Sequence, residues 1–157
     1  MSKKSNAVRL VEQAGMTYEL LAYTYDDDNL NVANIAEKNG LELLSLYKTL
    51  VLEGDKTGIL VAVIPGDRAL NTKALAAASG NRKVNLLPTT ELLKHTGYIR
   101  GGCSPIGMKK NFPVFVDSRA QQLNAIYVNA GKRGLLMKIA PSAILELCSA
   151  QWAELST

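Results

Sequence analysis

Two apolar runs joined by a short glycine turn dominate the hydrophobic pattern of this chain. Residues 46–53 alternate, and Ile59-Leu60-Val61-Ala62-Val63-Ile64 is continuous; Gly54-Asp55-Lys56-Thr57-Gly58 lies between them. Strand, tight turn and strand make a hairpin, which Pro65-Gly66-Asp67 ends. Further strands are expected at 18–25, 84–86, 113–117, 125–129 and 135–140, the last two flanking Gly131-Lys132-Arg133-Gly134. Helical spacing appears at 4–14, with Val8, Leu10 and Val11 on one side and Gly15 as a stop. It recurs at 32–39 before Gly40, at 72–79 before Gly80, and at 89–94, where Thr89-Thr90-Glu91 can cap. A helical turn follows at 118–123, and Pro141-Ser142 opens a last helix through about Ala150. Six or seven strands, often sequential neighbours, mix with about five helices. That order predicts an α+β fold with a mixed, mainly antiparallel sheet. No repeat or linker divides the 157 residues, so a single domain spanning 1–157 is expected. No GxGxxG or GxxxxGK[ST] motif points to a nucleotide fold of those kinds.

Three segments break the regular pattern. In Leu46-Tyr47-Lys48-Thr49-Leu50-Val51-Leu52 a lysine shares one strand face with three leucines. Desolvating an ammonium is costly, so Lys48 needs an anionic partner, a route to solvent, or a function. Lining a pocket, it could bind a phosphate or carboxylate, or polarise a carbonyl. The second segment is Gly101-Gly102-Cys103-Ser104-Pro105-Ile106-Gly107-Met108-Lys109-Lys110. Glycine lets a ligand approach the main chain, and such a loop can aim N–H groups at a developing oxyanion. Cys103 and Ser104 sit in no GxSxG elbow and have no visible triad. The third is Tyr127-Val128-Asn129-Ala130-Gly131-Lys132-Arg133-Gly134, a strand ending in a basic turn.

Composition narrows the picture. Hydrophobic residues make up 47% and charged residues 20%, as in an ordinary globular protein. No apolar run reaches about 18 residues, so no membrane span is expected. The N-terminus lacks the apolar stretch of a signal peptide, which suggests a cytoplasmic home. The soft ligands are Cys103, Cys148 and His95, too few for a structural zinc site. Cys148 is expected in the core and Cys103 nearer the surface; His95 reads as a surface or capping residue. Asp26-Asp27-Asp28-Asn29 reads as a solvated acidic turn, and Trp152 as packing the last helix onto the core. The net charge of +4 permits a polyanionic partner without requiring one. Arg82-Lys83, Lys109-Lys110 and Lys132-Arg133 could read phosphates if they converge on one face.

Taken together the motifs resemble the YbaK/EbsC family of aminoacyl-tRNA deacylases, free-standing relatives of the prolyl-tRNA synthetase editing domain. The resemblance runs from about residue 4 to about residue 155. It rests on Tyr47-Lys48-Thr49-Leu50, on Thr96-Gly97-Tyr98 leading into the glycine loop with Lys109-Lys110, and on Tyr127-Val128 with Gly131-Lys132-Arg133-Gly134. The Ser104-Pro105 form of the loop looks like the branch that clears cysteine from tRNA(Pro). The resemblance implies a sheet partly closed like a barrel, with helices around it. It implies removal of cysteine from mischarged Cys-tRNA(Pro), acting in trans beside prolyl-tRNA synthetase in a ternary complex, with no cofactor, no metal and no protein nucleophile. The substrate thiol would attack its own ester carbonyl, leaving a thiolactone and free tRNA. Lys48 would anchor the substrate, and the main-chain N–H groups of Gly101 and Gly102 would hold the carbonyl oxygen. Tyr23, Thr49, Cys103, Ser104, Pro105, Gly107, Asn129, Gly131, Lys132 and Arg133 are the substrate-binding candidates. Asn129 stands where relatives often carry serine, and either Tyr23 or Tyr25 fills the family's tyrosine position. The alternatives are a deacylase for another ester, such as Ala-tRNA(Pro), and a non-catalytic module that binds tRNA or the synthetase.

Overall fold

The computed structural model describes residues 4–25 and 31–157. Helix α1 (Asn6–Gln13) starts where the Ser5 hydroxyl accepts the Val8 N–H, satisfying one of the orphan donors of the first turn. It buries Ala7, Val8 and Val11; Leu10, expected on that face, is 39% exposed because Ala7 takes the inward position. Strand β1 (Tyr18–Ala22) is shorter than the alternation suggested, and the acidic turn at 26–29 lies outside the described residues. Helix α2 (Val32–Asn39) is capped by the Asn31 side chain and closes at left-handed Gly40. Strands β2 (Tyr47–Gly54) and β3 (Gly58–Pro65) form the expected hairpin. Helix α3 (Thr72–Ser79), strand β4 (Val84–Leu86) and helix α4 (Thr89–Thr96) follow. No side chain caps α4, so Thr89 and Thr90 do not do so.

Strand β5 (Val114–Asp117) leads through a 3-10 turn at Ser118–Gln122 to β6 (Ile126–Lys132) and β7 (Leu135–Ile139). Helix α5 (Pro141–Cys148) ends two residues before Ala150, with Ser149 in the left-handed region. A last strand, β8 (Gln151–Ala153), was not anticipated. It carries Trp152 into register with Val116 on β5, and the tryptophan packs against the same core as Ile144 of α5. Three residues are too few to show a period, and only pairing with β5 makes them a strand.

The fold is α+β, with two sheets in place of one partly closed sheet. The order β1-β7-β6 is antiparallel throughout, whereas β4-β2-β3-β5-β8 is mixed: β5 runs parallel to β3 and to β8. One isolated parallel bridge, Leu46 to Tyr127, links the two sheets. A core of α1, β6 and β7 residues with Val61, Val63, Val114 and Val116 fills the space between them. Leu52, Leu60, Ala62, Ile64, Leu75 and Phe115 form a second core on the other face of the larger sheet. Each such fully buried aliphatic contributes roughly 1.5–3 kcal/mol. Strand β4 pairs only with Leu52–Gly54 of β2, so the edge of β2 nearer its N-terminus is left open. That gap positions the site.

Candidate active site

A cavity of about 440 Å3 opens at the uncovered edge of β2. Its walls come from the start of β2, the N-terminal half of α2, Asn129 of β6 and the first residues of the glycine loop. Lys48 and Thr49 line it from β2, Gly101 and Cys103 from the loop, and Tyr23 from the segment after β1. Arg100 joins Lys48 as a second cation, and no carboxylate is among the described lining residues.

The backbone of β2 alternates between β3 and the open edge beside this cavity. The Leu46 carbonyl accepts from Gly66 N–H, and Lys48 and Leu50 stand opposite Ile64 and Ala62. Antiparallel ladders alternate, so the main chains of Lys48 and Leu50 point to β3 and that of Thr49 points to the open edge. The Val51 carbonyl, two residues on, accordingly accepts from Leu87 N–H on that side. The Thr49 hydroxyl oxygen is buried and has no hydrogen-bond partner among the described residues. A buried polar atom left unpaired costs free energy that a bound ligand can recover.

Asn129 ties the site together. Its Nδ2 donates to the carbonyls of Gly101 at 2.8 Å and Lys132 at 3.0 Å, and lies 3.5 Å from the Tyr23 hydroxyl. Its Oδ1 accepts from the N–H groups of Gly131 at 2.6 Å and Lys132 at 3.1 Å. The β6–β7 register shifts between Asn129 and Lys132, and the asparagine satisfies the groups this bulge frees. One side chain thus clamps the glycine loop to the bulge. Arg133 reinforces the clamp by donating from Nε to the Arg100 carbonyl at 2.8 Å. Gly102 packs so closely that an added Cβ would lie 3.1 Å from Arg133 N, and its own N–H donates to the Ile99 carbonyl. Of the two expected main-chain donors, Gly102 is therefore committed within the loop, and Gly101 is the one that lines the cavity.

The other candidates form the scaffold beneath the loop. Ser104 is fully buried, and its Oγ accepts from Ile106 N–H. The Pro105 carbonyl faces the Cys148 thiol at 3.3 Å. Gly107, at φ +79°, lets the loop pass beside α1; a Cβ there would meet Tyr98 Oη and Ala7 N within 3.0 Å. Gly131 abuts Ser5 and Tyr98.

Cys103 overturns its expected exposure: it is 9% exposed and packs with Val51, Leu92 and Tyr98. Burial pushes its thiol up to about 12, so it stays protonated and is a poor nucleophile. Cys148, expected in the core, is half-buried, and burial likewise raises it to about 12. Of the two tyrosines left open, Tyr23 lines the cavity and Tyr25 lies against Gly134, the rings 5.9 Å apart. Tyr47 also contributes to the lining, and its hydroxyl is pushed up to about 12 by burial and then by Asp117. Arg100 was not singled out from the sequence, although it directly precedes Gly101. Asn31, Val32 and Ile35 were missed because nothing in the α2 pattern says which surface it covers.

Comparison with known proteins gives the family. The model of the aminoacyl-tRNA editing domain matches residues 28–147. EbsC of Enterococcus faecalis, provisionally assigned as a Cys-tRNA(Pro)/Cys-tRNA(Cys) deacylase, is 50% identical over 155 residues, covering 99% of this chain and 94% of that protein. The proline–tRNA ligase of Trichlorobacter lovleyi is 26% identical over 130 residues, covering 83% of this chain and 22% of the ligase. The crystal structure of APE2540 superposes with a TM-score of 0.87 at 26% identity, covering 98% of this chain and all of that one. A family match over most of the length, with half-identity to EbsC end to end, places the chain: it belongs to the aminoacyl-tRNA editing domain family, as an EbsC-like deacylase.

Proposed function

We propose that the protein removes cysteine from mischarged Cys-tRNA(Pro) in the cytoplasm, in trans and in company with prolyl-tRNA synthetase. The observation that carries the mechanism is the lining of the cavity. Among the described residues it offers two cations, an unpaired hydroxyl and loop main chain, with no histidine or carboxylate to act as general base. Cys103 is held protonated and so makes a poor nucleophile. The reaction then draws its nucleophile from the substrate. The cysteinyl sulfur attacks its own ester carbonyl; the S–C bond forms, the C–O bond to the ribose breaks, and the thiol proton ends on the ribose oxygen. The products are a cyclic thiolactone and free tRNA. The protein's part is placement, which is worth several kcal/mol when the nucleophile is intramolecular. Lys48 and Arg100 hold the terminal phosphate or ribose, Thr49 offers its hydroxyl, and Gly101 N–H holds the carbonyl oxygen as charge builds. One such donor is worth roughly 3 kcal/mol in favourable cases. Relationship to a proline–tRNA ligase supports the synthetase as partner.

The test compares esters. A thiol is a far better nucleophile at neutral pH than a hydroxyl, so Ser-tRNA(Pro) should turn over at least about 100-fold more slowly than Cys-tRNA(Pro). Equal rates would show that water attacks, and this mechanism would fall.

A further inference from the structure

We propose that a second, basic cleft takes the phosphodiester backbone of the RNA whose charged end occupies the cavity. The inference rests on the editing reading and adds where the nucleic acid runs. The cleft, about 590 Å3, lies at the hairpin end of β2 and β3. Lys94 and His95 reach it from the last turn of α4, and Lys109 and Lys110 from the far end of the glycine segment; Glu53 is the one carboxylate among the described lining residues. Two successive elements, 15 residues apart at Lys94 and Lys109, therefore bring four basic side chains to one place. None of the four forms an ion pair among the described residues.

Lys109 is held in position. Its N–H donates to the Thr96 carbonyl at 3.0 Å, its aliphatic stem covers Gly97, and its Nζ lies 3.4 Å from the Lys94 carbonyl. Compensation of the α4 C-terminus accounts for Lys94, as cations favour helix C-termini. It does not account for Lys110, or for the convergence on a concave surface. Clustered, unpaired cations in a groove are the electrostatic footprint of a polyanion.

The placement fits the cavity. Lys48 lines the cavity and Glu53 lines the cleft, five residues apart on one strand, or ~17 Å at ~3.3 Å per residue. The glycine segment runs from Gly101 at the first to Lys109 at the second. A short unpaired 3′ end seated in the cavity spans that distance, leaving the paired stem's phosphates at the lysines.

The test is the triple variant Lys94→Gln/Lys109→Gln/Lys110→Gln. Uncharged tRNA(Pro) binding is measured across a salt series, and deacylation is measured on a cysteinyl ester of the trinucleotide CCA. Each phosphate contact adds about 0.7–0.9 to the slope of log affinity against log salt. The variant should bind tRNA at least about tenfold more weakly at ~0.1 M salt, with a slope shallower by about 2–3. Its rate on the short ester should match the wild type. Unchanged tRNA affinity and slope would overturn the proposal. So would a loss confined to synthetase binding, which would assign the cleft to a protein partner, or an equal loss on the short ester, which would show an effect on the cavity. If the wild type fails to cleave the short ester and Cys-tRNA(Pro) alike, the deacylation reading fails, while the tRNA salt slope still decides this one.

Discussion

Replacing Asn129 with alanine tests whether one side chain holds the glycine loop against the β6–β7 bulge. The change deletes four hydrogen bonds, two donated to the Gly101 and Lys132 carbonyls and two accepted from Gly131 and Lys132 N–H. At about 1 kcal/mol net for each, the ceiling is about 4 kcal/mol. Asn129 is only partly buried, so water recovers part of that, and a loss of about 2–3 kcal/mol is expected. At roughly 2–4 °C per kcal/mol for a domain of this size, Tm should fall about 4–12 °C. Activity should suffer more than stability. Gly101 loses its tether, and about 1 Å of misplacement costs on the order of 100-fold. Asn129→Ser, which keeps a donor and an acceptor on a shorter arm, should fall between the two. Thermal melts and single-turnover deacylation on the three proteins check this. An alanine variant with wild-type Tm and wild-type rate would refute the clamp.

Three further outcomes are expected. Gly107→Ala places a Cβ within 3.0 Å of Tyr98 Oη and Ala7 N at a φ of +79°; strain and overpacking should together cost about 2–4 kcal/mol in denaturant unfolding. The two thiols, raised to about 12 by burial, should resist alkylation in the native protein at pH 8; modification of Cys103 within minutes would contradict its burial. The same shifts give a stability trend. Protonated thiols favour the folded state below about pH 8.5, and the advantage drains away from there up to about pH 12, because the unfolded thiols ionise first. Tm should therefore fall with alkaline pH, and less steeply in Cys148→Ala.

The hairpin of β2 and β3 was legible because two apolar runs and a glycine turn leave few other solutions. The helices α1, α2 and α3 were legible because glycines or caps mark their ends. Strand β8 was not, since its three residues owe their form to β5. The division into two sheets was not, since pairing partners are set by tertiary packing and the strand pattern is the same either way. At the site, Lys48 announced itself as a charge among leucines. Tyr23, Thr49, Gly101, Cys103 and Asn129 came with the motifs and meet Lys48 around one cavity. Ser104, Pro105 and Gly107 share the loop's signature but shape it from beneath, a distinction that depends on which side of the loop faces the core. The exposure of Cys103 was misjudged because a glycine-rich loop suggests surface, whereas this loop is folded under Tyr98 and Leu92.

The most direct measurement is the release of labelled cysteine from Cys-tRNA(Pro), with wild-type protein and with Lys48→Ala. Release that drops at least about 30-fold in a folded variant is expected, the loss of one charge-assisted contact. No release by the wild type with synthetase present, or undiminished release by a folded Lys48→Ala, would contradict the account.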